Sequence, residues 1–195
     1  PFYESRGWTP IPITTFEIDV SAADCSEVAT RTLNIQDDLE AVRRMHASCS
    51  SEYTGTEIRD AAYWSTGPAR HRSVFPEVGI ERDGELCGYI NWDVVNGSPW
   101  IVECCATSND VYEDLAAIVI NASDNISSAS LLGSLPRDHA LVHALEELTT
   151  AQADWTTHDE MMVKISRWDL LHEKLGSDLP ESFHTDQADV DDFWR

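Results

Sequence analysis

Residues 77–107 read EVGIERDGELCGYINWDVVNGSPWIVECCAT, and the reading of this stretch decides the fold. Three β-rich runs are separated by Asp83-Gly84 and Asn96-Gly97, the pairs that two-residue hairpin turns with positive φ prefer. The stretch is therefore an antiparallel three-strand meander. Trp92 and Trp100 are expected as a cross-strand pair within it.

Working outward, TPIPITTFEIDV (9–20) carries two prolines and then an extended run, which reads as an edge or terminal strand. Residues 21–30 are small and polar, and ATRTL (29–33) reads as a short strand. Asp37 and Glu40 resemble a capping box, opening a helix near 37–52 with Leu39, Val42, His46, Cys49 and Tyr53 on one face. TEIRDAAYW (56–64) reads as a second, short helix stopped by Gly67-Pro68. After the meander, Asp110 and Glu113 open a long helix striped by Leu115, Ile118, Val119, Ala122 and Ile126. SLLGSL (130–135) is a short strand, and Pro136 starts a helix with Leu141, Ala144, Leu145 and Leu148 on one side. DEMMVKIS (159–166) alternates as a last strand, before an acidic tail.

Composition narrows the function. Acidic residues outnumber basic ones 35 to 13, a formal net charge of −22. A field of that sign repels phosphate backbones and anionic lipid, so neither nucleic acid nor membrane is an expected partner. A cationic substrate or a basic protein suits it, and so does plain solubility. No run approaches the ~20 apolar residues of a membrane span, and no basic-then-apolar start suggests a signal peptide. Five cysteines without a C-x-x-C pair argue against a disulfide framework or zinc ribbon. Adjacent Cys104 and Cys105 in an apolar run suggest buried thiols in a reducing compartment, so a cytoplasmic location is expected. The sequons at Asn96, Asn121 and Asn125 are then chance matches.

Other constellations carry less. His139, His143 and Glu146 have metal-ligand spacing on a helix, but they are expected on the solvent face, opposite the leucines, so no metal is expected. Arg59 and Trp64 could present a cation and a pocket wall, or form a structural ion pair and a core position. Glu103 sits in an apolar strand, where a lone carboxylate is expensive to bury. It either attracts an amine or makes a structural hydrogen bond. No Ser-His-Asp grouping, phosphate-binding Walker loop or dinucleotide fingerprint is present.

The element order of strand, two helices, meander, long helix, strand, helix and strand resembles that of the GNAT superfamily of N-acetyltransferases. PFYESRGW (1–8) resembles the phrase these enzymes carry between their last helix and last strands. GTEIRDAAYW (55–64), ERDGELCGYINWDVV (81–95), WIVECCA (100–106) and MMVKI (161–165) resemble, in that order, the second domain of tandem GNAT proteins such as the Eis-type bacterial enzymes.

The resemblance implies an α+β fold: a GNAT-like mixed, mostly antiparallel sheet with helices on both faces. It implies that residues 1–20 are the C-terminal strand segment of a first GNAT domain, missing here. Residues 21–28 are then a linker, 29–175 a second, degenerate GNAT-like domain, and 176–195 an acidic tail. The full-length enzyme would move acetyl from acetyl-CoA to a small amine or lysine-type acceptor, and this part would shape the acceptor pocket and the assembly. Tyr3 takes the place of the family's general acid, while Glu103, Arg59 and Trp64 are the candidate substrate-binding residues. A homo-oligomer stays open, as does a rival reading as a non-catalytic acidic module that binds a basic partner.

The same resemblance places the cofactor's pyrophosphate on bare N–H groups in a glycine-containing turn before the long helix. Here that turn is CATSNDVYED (105–114), and no glycine lies between Gly97 and Gly133. Asp110, Glu113 and Asp114 put negative charge where the phosphates would sit. Acetyl-CoA is therefore expected to be bound mainly by the upstream domain.

Overall fold

The computed structural model describes residues 9–51, 59, 63–64 and 76–163, with strand side chains described from Ile13 to His158. Thr14–Thr156 form one compact unit. Pro1–Ile13 and Thr157–Arg195 make a second, in which Thr9–Ile13 and Thr157–Val163 are extended strand.

The strands are β1 (Thr9–Asp19), β2 (Arg31–Thr32), β3 (Val78–Arg82), β4 (Glu85–Val95), β5 (Ser98–Ala106), β6 (Ser130–Gly133) and β7 (Asp154–Val163). The helices are α1 (Ile35–Ser50), α2 (Asn109–Asn125) and α3 (Ala140–Thr149). One seven-stranded sheet runs in the order β2-β3-β4-β5-β6-β1-β7. The pairings β2/β3, β3/β4, β4/β5 and β1/β6 are antiparallel, and β5/β6 is parallel. This is the mixed, mostly antiparallel sheet that was expected.

The meander forms as read. Asp83 and Gly84 take φ of 53° and 82°, and Asn96 and Gly97 take 54° and 87°, as a two-residue turn matching strand twist requires. Val95 then opposes Ser98 and Asp93 opposes Trp100, while Trp92 opposes Ile101. Trp92 and Trp100 therefore stand on opposite faces of the pleat, and the expected cross-strand pair does not exist.

Each face of the sheet has its own core. Tyr89 and Ile90 are adjacent on β4 and both fully buried, yet they belong to different clusters. Tyr89 packs with Leu33, Val42, Met45, Trp64 and Cys105 under α1. Ile90 packs with Phe16, Ile18, Ile101, Leu115, Leu131 and Leu145 under α2 and α3. Helices thus cover both faces, and the period-2 alternation of β4 feeds both cores.

The register of β4 and β5 slips by one between Asn91 and Trp92: Asn91 opposes Glu103 while Trp92 opposes Ile101, so Val102 is the extra residue of a β-bulge. In consequence Ile101 and Cys104, three apart, point into the same core. Glu103 and Cys105 are left on the α1 face.

Several boundaries differ from expectation. β1 lies inside the sheet, between β6 and β7, rather than at an edge. Its pairing with β6 runs from Phe16 to Asp19, beyond both prolines, so the missing N–H groups cost that ladder nothing. Helix α1 begins at Ile35 because Asn34, not Asp37, is its cap: the Asn34 side chain accepts from the N–H groups of Gln36 and Asp37. The Asp38 carboxylate reaches back to the Asn34 N–H at 2.8 Å and takes two bonds from Arg31, which satisfies its burial.

Helix α2 starts after Ser108 and buries Val111, Leu115, Ala116, Val119, Ile120 and Ser123. Ile118 is only half-buried and Ile126 is 41% exposed, so the true stripe is rotated from the one expected. Its small residues let it pack against the sheet and α3 together. Helix α3 begins at Ala140, four residues after Pro136, and Leu148 is exposed. β7 begins at Asp154, earlier than DEMMVKIS. Of the helix expected over 56–64, Tyr63 and Trp64 are helical and Arg59 is not; the remainder lies outside the described residues.

Gly133 marks a close approach. A Cβ there would meet the Phe16 ring at 2.7 and 2.8 Å and Ile101 at 3.3 Å. Gly133→Ala should therefore destabilise the protein by about 1–3 kcal/mol through overpacking. Urea unfolding measures it, and an unchanged midpoint would mean that the Phe16 ring yields freely.

Candidate functional site

Glu103, Arg59 and Trp64, singled out from the sequence, meet on the α1 face. Arg59 makes a two-pronged ion pair with Glu103, through Nη1 to Oε1 at 3.1 Å and through Nη2 to Oε2. The Tyr89 hydroxyl, two pleats down the facing strand, donates to Oε1 at 2.7 Å. His46 Nε2 on α1 lies 3.8 Å from Oε2. Trp64 is buried and donates its indole N–H to the Arg59 carbonyl at 3.1 Å. The Arg59 guanidinium also lies over the Tyr63 and Trp64 rings, at 5.1 and 5.3 Å from their centroids.

The side chains of Glu103, Arg59 and His46 are 18%, 12% and 10% exposed, so the charges are largely out of water and must compensate each other. Burial works against the charge on Arg59, but the Glu103 carboxylate holds its pKa above the ordinary value. Burial, followed by Glu103, pushes the Tyr89 phenol well up, so it remains a donor. Tyr89 and the pairing role of His46 were not singled out from the sequence. Counted back from the Asn96-Gly97 turn, a regular ladder would set Ile90 opposite Glu103, and only the bulge at Val102 brings Tyr89 to the Glu103 face. Tyr3 lies outside the described residues.

The opposite face has a second group of polar side chains. β5 and β6 run parallel for two pairs, Trp100 with Leu132 and Ile101 with Gly133. β6 ends there, and β5 continues to Ala106. Crevices at the carboxyl ends of parallel strands are where open α/β sheets bind ligands. Past its last pair with β6, where β5 runs on beside β4, it is met by His139, whose Nε2 is 3.9 Å from Cys104 Sγ. The His139 ring packs edge-on against Tyr112 at 5.3 Å.

The expectation that His139, His143 and Glu146 share a solvent face therefore fails at His139, which is 4% exposed. It precedes α3 as its N-cap, and its Nδ1 accepts the Leu141 N–H at 3.2 Å, which turns the ring inward. His143 does face solvent, and Glu146 accepts the Ala153 N–H at 3.0 Å. Among the described residues no three His, Cys, Asp or Glu side chains converge as metal ligands, and no helix is long and apolar enough to cross a membrane.

At the start of α2, Arg82 bridges Asp110 and Asp114, at 2.7 Å to the latter. The Ser108 hydroxyl, followed by Arg82, lowers the Asp110 pKa. The start of α2 thus carries Asp110 in its first turn and Asp114 one turn later, sharing one guanidinium.

Burial lowers the His139 pKa from 6.5 to about 4. The folded protein holds the ring neutral while the unfolded chain binds a proton below pH 6.5. Its contribution to stability, about 3 kcal/mol, is therefore complete above that pH and is lost as pH falls toward 4. In His139→Gln, whose amide oxygen can still cap Leu141, that slope should vanish. Urea unfolding of both proteins between neutral and acid pH checks it; parallel profiles would refute the assignment.

No family model matches the sequence, and no curated protein matches it. Solved structures do. A protein from Enterococcus faecalis V583, described as a probable N-acyltransferase, superposes with a TM-score of 0.60 at 18% identity, over 83% of this chain and 42% of its own. A GCN5-related N-acetyltransferase from Anabaena variabilis ATCC 29413 gives 0.54 at 14% identity, over 80% of this chain and 42% of its own. One from Kribbella flavida gives 0.51 at 12%, over 80% and 39%. This chain spans about two fifths of the length of each. The likeness is one of fold: this chain has the fold of the GCN5-related N-acetyltransferases.

Proposed function

We propose that this chain is the C-terminal portion of a GNAT-type N-acetyltransferase that moves acetyl from acetyl-CoA to an amine. In this reading it is a degenerate second domain that shapes the acceptor pocket and the assembly. The supporting observation is the pairing of a GCN5-related fold with acidic side chains at the start of the helix that follows β5. The carboxyl end of β5 is filled by the neutral, buried side chain of His139. The adjoining helix start carries Asp110 and Asp114, whose charge opposes a pyrophosphate even with Arg82 between them. The lengths of the similar structures leave room for a first domain that does bind the cofactor. The net charge of −22 suits a cationic amine or lysine acceptor approaching through solvent.

Glu103, Arg59 and Trp64 then serve the acceptor side as a wall. With Arg59 and Tyr89 on its two oxygens, Glu103 contributes shape and a fixed dipole rather than an open negative charge. Tyr3 is proposed as the general acid. A phenol with an ordinary pKa of ~10 keeps its proton at neutral pH and can pass it to a leaving thiolate across one hydrogen bond.

Two measurements test this reading. Calorimetric titration of the 195-residue chain with acetyl-CoA should give no binding in the micromolar range, and such binding would overturn the account of His139 and the α2 start. In the full-length enzyme, Tyr3→Phe should lower kcat by roughly 10²-fold or more, with acetyl-CoA affinity little changed. Wild-type kcat in that variant would make Tyr3 a packing residue.

A further inference from the structure

The five cysteines divide between the two cores. Cys25, Cys87 and Cys104 pack in the cluster under α2 and α3, whereas Cys49 and Cys105 pack in the cluster under α1. Cys49 sits in the last turn of α1 and is half-buried, while Cys105 on β5 is fully buried. Cys49 Sγ lies 3.7 Å from the carbonyl oxygen of Ala106, the residue after Cys105. Both side chains thus belong to the same small core, with the Cys49 sulfur against the backbone next to Cys105. Both are reduced in this structure.

We propose that Cys49 and Cys105 are a redox pair that a peroxide or a small disulfide oxidant closes into a disulfide, fastening the end of α1 to β5. With a peroxide, the more exposed Cys49 loses its proton and attacks one peroxide oxygen, breaking the O–O bond and leaving a sulfenic acid and one water. The Cys105 sulfur then displaces the hydroxyl from Cys49, forming the S–S bond; the Cys105 proton leaves with that hydroxyl as a second water. Two thiols lose two electrons in total and one peroxide gains them. The order follows from access. The half-buried Cys49 meets the oxidant before the buried Cys105, and Cys105 gives up its proton only as it attacks the sulfenic acid.

The place of the bond gives it consequence. His46 is one turn before Cys49 on α1, and Glu103 is two residues before Cys105 on β5, so the crosslink would hold the helix and the strand from which His46 and Glu103 meet. The inference does not depend on the acetyltransferase reading, since it uses only the α1 face and its two thiols.

Peptide mapping of the full-length protein tests it. The reduced protein is treated with hydrogen peroxide or diamide, alkylated, digested without reductant and mapped by mass spectrometry. The expected result is one crosslinked peptide pair joining Cys49 to Cys105, two hydrogens lighter than its reduced halves and released by dithiothreitol. Cys25, Cys87 and Cys104 should carry the alkyl label. In Cys49→Ser and Cys49→Ala, both changed at a half-buried position, the pair should be absent and Cys105 should be labelled. Full labelling of Cys49 and Cys105 after oxidation would overturn the proposal, as would a crosslink from Cys49 to any other cysteine.

Discussion

Val102 is the residue about which β5 changes hands, and the two faces of the molecule depend on it. In a regular strand Glu103 would share a face with Ile101 and aim its carboxylate at the apolar core beneath α2 and α3. Nothing charged is on that side to receive it, and an isolated buried carboxylate costs many times what a hydrogen bond returns. The bulge absorbs one residue, sends Glu103 toward Arg59, Tyr89 and His46, and turns Cys104 into the apolar core. Val102 itself is 44% exposed, the cost of carrying the extra residue outside the ladder.

The two faces then do different physical work. Beneath α1 the core is mixed: Val42, Met45 and Trp64 surround an ion pair whose carboxylate oxygens are both occupied. Such a pair adds little net stability, but its directional bonds admit few arrangements, and removing one partner strands the other charge. Beneath α2 and α3 the core is apolar, and its one buried imidazole is kept neutral by burial and used as a helix cap. The fold sets the sheet and its helices, while what each face does is decided by the particular side chains on it, because fold and site are separate achievements of a sequence.

Local chemistry made most of the fold legible. The Asp-Gly and Asn-Gly turns and the strands they join depend on neighbours in the chain and formed where the sequence put them, while the helices formed with shifted starts. What was missed depended on distant partners. The stripe of α2 is decided by two packing surfaces at once, which no single periodicity describes. The placement of β1 in the sheet interior depends on the pairing of Phe16 to Asp19 with β6, more than a hundred residues away. The Trp92 and Trp100 error was avoidable: a two-residue turn at Asn96-Gly97 fixes Val95 opposite Ser98, and counting back places the two indoles on opposite faces. At the site, Glu103, Arg59 and Trp64 were found because a charge in an apolar strand demands company. Tyr89 and His46 were not, because a tyrosine and a histidine among hydrophobic residues carry no such demand.

Charge links the two faces to the surface. Apart from the exposed Arg44, the described arginines are committed to carboxylates or rings: Arg31 to Asp38, Arg43 to Glu40, Arg59 to Glu103, Arg82 to Asp110 and Asp114, and Arg137 over Trp155. Each pairing spreads the scarce positive charge among local carboxylates instead of gathering it into a patch. A triply phosphorylated cofactor needs the opposite arrangement, cations and bare N–H groups converging on one place. With 13 basic residues against 35 acidic ones, a chain that folds by local compensation has few cations left to assemble such a place. Its far field stays negative, and beyond roughly 8 Å at physiological salt that field is screened, so it acts on ligands already close to the surface. The same scarcity of cations leaves the α2 start with Asp110 and Asp114 around a single guanidinium.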